Sequence, residues 1–207
     1  MGIDTDQRLA VAQQILDIFR NDHCVKGASL RGSLLDGCVD AYSDIDIRVD
    51  VSGCDNAAYC QTVIETMERH FDLHFHDWRR SLMPQSYVLA FFIKGLPIFW
   101  NIDLECSADP HHPTLTRDAV TRDVTASLLK LWALNAKYIL RRLPGVEQRI
   151  QGSGKRALGV DTLASMNSRE IMGRVLANLT ARAQPQLHEF AAECQKVYER
   201  QLIPYYD

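Results

Sequence analysis

Hydrophobic positions along the chain recur with two periods, and each period predicts its own kind of element. In residues 5–19 an apolar stripe of Leu9, Val11, Ala12, Ile15, Leu16, Ile18 and Phe19 recurs at helical spacing, with Thr5 or Asp6 placed to cap it. A short apolar run from Val25 to Leu30 ends in Gly32-Ser33, and a polar, turn-rich loop follows. Residues 43–51 then alternate with period two, which predicts a half-buried strand. Ile45, Ile47, Val49 and Val51 face a core, and Asp44, Asp46, Arg48 and Asp50 share the other face. Ser52-Gly53-Cys54-Asp55 breaks this strand, and Asp55 or Asn56 caps a second helix to about His70. Its stripe is Ala58, Val63, Ile64 and Met67, with Glu65 and Glu68 on a solvated face.

Residues 71–78 alternate again and predict a third strand, with His74 and His76 together on its polar face. That spacing can bind a metal, although two half-exposed histidines on an outer sheet face is the plainer reading. Pro84 marks a loop. Residues 86–93 and 97–105 predict a hairpin turning at Lys94-Gly95-Leu96. Its second arm places Trp100, Ile102 and Leu104 on one side and Asn101, Asp103 and Glu105 on the other.

The pattern changes after Ala108-Asp109-Pro110-His111-His112-Pro113, a linker by composition. Residues 116–142 read as one long helix with Val120, Val124, Leu128, Leu131, Trp132, Asn135, Ile139 and Leu140 at the helical period, stopped by Leu143-Pro144-Gly145. Gly152-Ser153-Gly154-Lys155 reads as a surface loop. It is not a Walker phosphate loop, because Arg149 and Arg156 stand where glycine and serine or threonine are needed. Two more helices, about 168–183 and 185–202, complete the chain. The expected fold class is α+β: a mixed, twisted sheet flanked by helices in residues 1–110, then a helical bundle in residues 111–207.

Composition narrows the function classes. Hydrophobic residues make up 46% and charged residues 24% of 207, ordinary for a globular protein. A net charge of −3 argues against a sequence-independent grip on nucleic acid, which needs a basic footprint, but not against a nucleotide carried with its own Mg2+. The six cysteines, Cys24, Cys38, Cys54, Cys60, Cys106 and Cys194, contain no Cys-x-x-Cys pair, so neither a zinc motif nor a disulfide framework is expected. No signal-peptide, myristoylation or membrane-spanning pattern is found, which makes a cytoplasmic protein without membrane contact the expectation.

The candidate chemistry lies in Gly32-Ser33 and, eleven residues after that serine, Asp44-Ile45-Asp46. Two carboxylates on one strand face repel each other. With a hard dication such as Mg2+ they become oxygen ligands, and substrate phosphates can complete the shell. A Gly-Ser turn lets backbone N–H groups and a hydroxyl approach phosphate oxygens closely.

With the later Ile102-Asp103-Leu104, these residues resemble the DNA polymerase β-like nucleotidyltransferase superfamily. Within it the chain looks most like the small bacterial enzymes that adenylylate aminoglycoside and lincosamide antibiotics, and Tyr42-Ser43-Asp44 fits the phrase such enzymes carry ahead of their first metal ligand. The resemblance implies a catalytic and metal-binding trio of Asp44, Asp46 and Asp103, two Mg2+ ions with bound nucleotide, and proton acceptance by Asp103. Glu105 is the same-face alternative for the third carboxylate. Gly32, Ser33 and Ser43 would bind phosphate, joined by Lys130 and Lys137, two turns apart on the long helix; a solvated basic face is the plain alternative for both lysines. Arg48 either neutralises phosphate or pairs with Asp50.

The reaction implied is transfer of a nucleoside monophosphate, AMP from ATP, onto a hydroxyl of a small acceptor held by the helical half. In that half Trp132, Asn135, Lys137 and Tyr198 are candidates to line the acceptor pocket. An antitoxin-type enzyme that modifies a protein, and a regulatory nucleotide-binding domain without turnover, are the alternatives. The retention of all three acidic positions speaks against the second.

Overall fold

In the computed structural model, which describes residues 5–78, 85–116, 118–120, 122–159, 163 and 165–206, the alternating segments pair into one five-stranded sheet. Pro84, the expected loop marker, lies outside the described residues. The strands are β1 (Gly27–Arg31), β2 (Ile45–Asp50), β3 (Leu73–Trp78), β4 (Ser86–Ile93) and β5 (Ile102–Ser107), in spatial order β1-β2-β5-β4-β3. β2 and β5 run parallel and the other neighbours antiparallel, so the sheet is mixed. Helices α1 (Thr5–Arg20), α2 (Gly32–Asp36) and α3 (Asn56–His70) alternate with the strands. The fold class is α+β.

One sheet face supplies the core. Ile45, Ile47 and Val49 of β2, Tyr87, Leu89 and Phe91 of β4, and Ile102, Leu104 and Cys106 of β5 pack with Ala12, Ile15, Leu16 and Phe19 of α1 and Val63 and Met67 of α3. Burial of such side chains stabilises by about 25 cal/mol per Å2 of apolar surface. It also fixes the register, because a slip of one residue would turn every apolar side chain outward. Asp46 is therefore locked beside Asp103, and Arg48 beside Glu105, on the face turned from the core.

Several elements differ from the expectation. The hairpin arm expected over 97–105 becomes strand only at Ile102, because Trp100 turns back onto Pro97, its amide donating to that carbonyl at 2.8 Å. A bulge between Leu73 and Phe75 interrupts the alternation of β3, so His74 and His76 do not share an exposed face. His74 is buried, and His76 lies beside Phe91 with its Nδ1 3.6 Å from Glu68. Burial lowers the pKa of His76, with Glu68 and Asp77 opposing.

The chain divides into two compact units, Met1–Arg122 and Asp123–Asp207. The linker-like stretch is tied to the first: the Tyr87 hydroxyl donates to the His112 carbonyl at 2.6 Å, and the His112 amide donates to Asn56 Oδ1 at 3.0 Å. The second unit contains α4 (Val124–Leu140), α5 (Val146–Leu158), α6 (Ser168–Arg182), α7 (His188–Val197) and the short α8 (Ile203–Tyr206).

The long helix expected from residue 116 starts at Val124, where the Asp123 carboxylate accepts from the amides of Thr125 and Ala126; residues 117 and 121 lie outside the described set. The surface loop expected at Gly152-Ser153-Gly154-Lys155 is instead the middle of α5. Gly154 lets α5 approach closely: a Cβ there would stand 2.7 Å from Ile171 Cγ2 of α6. No described helix is long and apolar enough to cross a membrane.

Candidate active site

β1 delivers the chain to Gly32, whose φ of 57° lies in the left-handed region that glycine adopts without strain. A side chain there also has nowhere to go, since a Cβ would lie 2.5 Å from Asp46 Oδ2. The glycine thus makes room for a carboxylate of the next strand. Residues 32–36, read from sequence as the start of a polar loop, form the single-turn helix α2, closed by Gly37 at φ 68°. Ser33 Oγ is buried there and has no hydrogen-bond partner among the described residues. A buried hydroxyl left without a partner costs about 1–3 kcal/mol, which a ligand oxygen can recover.

The loop before β2 is built around Asp40. Its Oδ1 accepts from the Tyr42 amide and from Ser43 Oγ, both at 2.9 Å, and its amide donates to Ser43 Oγ at 3.0 Å. The Ser43 hydroxyl is therefore spent on the loop rather than presented to phosphate. The fully buried Arg8 of α1 donates through Nη1 to the Asp40 carbonyl at 2.9 Å and stacks 4.5 Å above the Trp100 ring. Tyr42 meets Phe99 edge-on, with ring centroids 5.3 Å apart. These contacts tie the loop carrying Asp44 to α1 and to the connection preceding β5. Arg8 and Asp40 escaped the sequence reading. Arg8 did leave a signal: it extends the buried stripe of Ala12, Ile15 and Phe19 by one turn.

Asp44, Asp46 and Asp103 converge, each partly exposed, and a carboxylate oxygen from each lies within 4.8 Å of the others. Asn101 Nδ2 donates to Asp103 Oδ1 at 2.9 Å and orients it. At that separation two unit charges repel by about 1 kcal/mol in bulk water, and several-fold more at the effective dielectric of a protein surface. Three hard oxygen donors so placed fit a hard divalent cation such as Mg2+.

Glu105 stands apart from this trio. It is buried between two guanidinium groups, forming an ion pair with Arg31 and accepting from Arg48 Nη2 at 3.4 Å. Arg48 therefore pairs with Glu105 of the neighbouring strand, not with Asp50.

In the second unit, α4 carries Lys130, half-buried, and Lys137, only 2% exposed and hence not on a solvated basic face. The other residues read as pocket candidates serve packing within that unit. Trp132 Nε1 donates to the Met172 carbonyl at 2.9 Å, Asn135 Nδ2 to Ser153 Oγ at 2.7 Å, and the Tyr198 hydroxyl to the Arg169 carbonyl at 3.2 Å.

No protein-family model and no curated protein matches the chain. Solved structures similar to it include the GLD-2/RNP-8 complex, at 10% identity and TM-score 0.40, over 87% of this chain and 51% of that one. The chain thus spans about half of that protein's length. A STING-associated CdnE c-di-GMP synthase from Capnocytophaga granulosa is similar at 10% identity and TM-score 0.35, over 97% of this chain and 82% of its own. A structure described as a "putative nucleotidyltransferase from H. pylori" is similar at 11% identity and TM-score 0.31, over 99% of both chains. Likeness at this level leaves the functional reading to the site's own geometry.

Proposed function

We propose that the protein is a divalent-cation-dependent nucleotidyltransferase that moves AMP from ATP onto a hydroxyl of a small acceptor. The observation that carries this reading is the convergence of Asp44, Asp46 and Asp103 within 4.8 Å, beside a glycine too close to Asp46 for any side chain and a Ser33 hydroxyl with no partner among the described residues.

Asp44, Asp46 and Asp103 would hold Mg2+, and the bound cation supplies charge neutralisation to the phosphate oxygens. Ser33 Oγ donates to a phosphate oxygen of ATP. The acceptor hydroxyl attacks the α-phosphorus, a new P–O bond forms, the bond to the bridging oxygen breaks, and pyrophosphate leaves. Asp103, held by Asn101, accepts the hydroxyl proton. Lys130 and Lys137 are proposed to steady the leaving phosphates. Catalysis of this kind is mainly positioning and charge, and the register of β2 against β5 supplies both.

The test is pyrophosphate release from ATP and Mg2+ in the presence of a panel of hydroxylated small molecules, aminoglycosides and lincosamides among them, with Asp46→Asn as control. Acceptor-dependent release by the wild type and none by the variant is the expected result. Labelling of a protein with no turnover of any small acceptor would replace this reading by a protein-modifying one.

A further inference from the structure

On the sheet face that carries the three carboxylates, a second charged group stands one step further along the strands. Arg31 pairs in register with Asp46, Asp46 with Asp103, and Arg48 with Glu105. Residues two apart on a strand share a face and are roughly 6.5 Å from each other. Arg48 and Glu105 therefore lie about that far beyond Asp46 and Asp103. Because β1 runs antiparallel to β2, Ser33, two residues past Arg31, lies beyond the other end of the row.

Both guanidinium groups reach the same oxygen of Glu105, Oε2, Arg31 through Nη1 and Arg48 through Nη2 at 3.4 Å. Two positive charges thus stand side by side over one negative charge, and the group carries one positive charge in excess. The neighbour of Glu105 on β4 is Val88, which adds no charge. Glu105 is only 8% exposed, whereas the side chains of Arg31 and Arg48 are 38% and 48% exposed. The carboxylate is a buried anchor, and the cations it gathers face outward.

One arginine is enough to balance one carboxylate. A second beside it adds like-charge repulsion, which a bound anion relieves. The planar guanidinium fork matches the oxygens of carboxylates and phosphates.

Position decides which substrate would bring that anion. In phosphoryl transfer the attacking and leaving oxygens stand roughly in line. With a phosphate of ATP at Ser33 and the acceptor hydroxyl at Asp103, the acceptor extends away from Ser33, along β5 toward Glu105. An acidic group roughly 6.5 Å from the reacting hydroxyl then meets the two arginines.

We propose that Arg31 and Arg48, gathered by Glu105, bind an oxyanion of the acceptor, so that the acceptor is a hydroxylated carboxylate or phosphate ester and not a polycation. This rests on the nucleotidyltransferase reading above and names the substrate class it lacks.

The experiment uses the full chain with Mg2+ at constant ionic strength, and acceptors that differ in charge: glucose, glucuronate, glucose 6-phosphate and an aminoglycoside. Thermal unfolding is followed first with α,β-methylene ATP, a non-cleavable analogue, and then with each acceptor added. The expected result is a rise in melting temperature with the analogue and a further rise with glucuronate or glucose 6-phosphate, but not with glucose. Those two arms tell a carboxylate from a phosphate. Arg48→Gln leaves Arg31 on Glu105 and should keep the first rise and lose the second; Arg48→Lys should retain part of it. In turnover Arg48→Gln should raise KM for the anionic acceptor about tenfold or more, with kcat and KM for ATP little changed.

A rise with the analogue but no response to either anion, an equal response to glucose, or a preference for the aminoglycoside overturns the proposal and leaves nucleotidyl transfer standing. An anion response that persists in Arg48→Gln does the same. No rise with the analogue overturns the reading of the three carboxylates, and this proposal with it.

Discussion

Gly32 and Asp46 decide the site between them. Substituting Gly32→Ala forces a side chain into the left-handed region and drives its Cβ against Asp46 Oδ2. We expect it to cost about 1–2 kcal/mol of stability from the backbone alone and to displace the carboxylate, so turnover should fall well beyond what the stability loss explains; steady-state kinetics beside thermal unfolding separates the two. Asp46→Asn acts on charge alone. It should lower turnover about 100-fold or more while leaving the melting temperature unchanged or slightly raised, since one of three converging negative charges is gone. Near-normal turnover of that variant at saturating Mg2+ would remove Asp46 from the site. Asp103 and Glu105 share a strand face but have different partners, Asn101 for the first and Arg31 with Arg48 for the second. Asp103→Ala should therefore reduce turnover far more than nucleotide binding. Glu105→Gln should appear mainly as lost stability, about 1–2 kcal/mol, because two half-exposed arginines lose their counter-charge. The opposite ranking in kinetics would exchange their roles.

Among the elements, α5 shows how glycine misleads a reading by composition. Gly152 and Gly154 suggested a loop, yet Ile150, Gly154 and Ala157 recur at helical spacing and are the buried positions of the helix. The two glycines should respond oppositely to alanine. Gly152 has nothing within 4 Å of an added Cβ, so Gly152→Ala should stabilise by up to about 1 kcal/mol through helix propensity. Gly154→Ala inserts a methyl against Ile171 and Leu163 and should destabilise by about 1–3 kcal/mol less that gain. Urea unfolding of the pair tests this packing, and equal effects at both positions would contradict it. The loop before β2 obeys the same logic at the other unit's site. Its turn at Asp40 is local, but its place is fixed by Arg8 from thirty-two residues away, stacked on Trp100.

For the whole molecule, the trio and the nucleotide should stabilise each other. Adding Mg2+ with ATP should raise the melting temperature by mass action, with about 2.7 kcal/mol at ligand concentrations a hundredfold above Kd, and chelation should reverse it; no shift at millimolar ligand would count against the site. The strand and helix periods, the acidic face of β2 and the caps at Asp55 and Asn167 were determined by local sequence, because alternation and capping depend on near neighbours. The clustering of Asp44, Asp46 and Asp103 was legible only as far as two strands with matching faces. What made it a site is the parallel register of β2 on β5, set by the apolar residues of the opposite sheet face. Tertiary structure alone decided that Ser43 serves its own loop, that Glu105 is held by Arg31 and Arg48, and that His74 and His76 part company at a bulge. Each of these depends on which distant side chain comes to lie alongside, and the period of a segment carries no information about its partner.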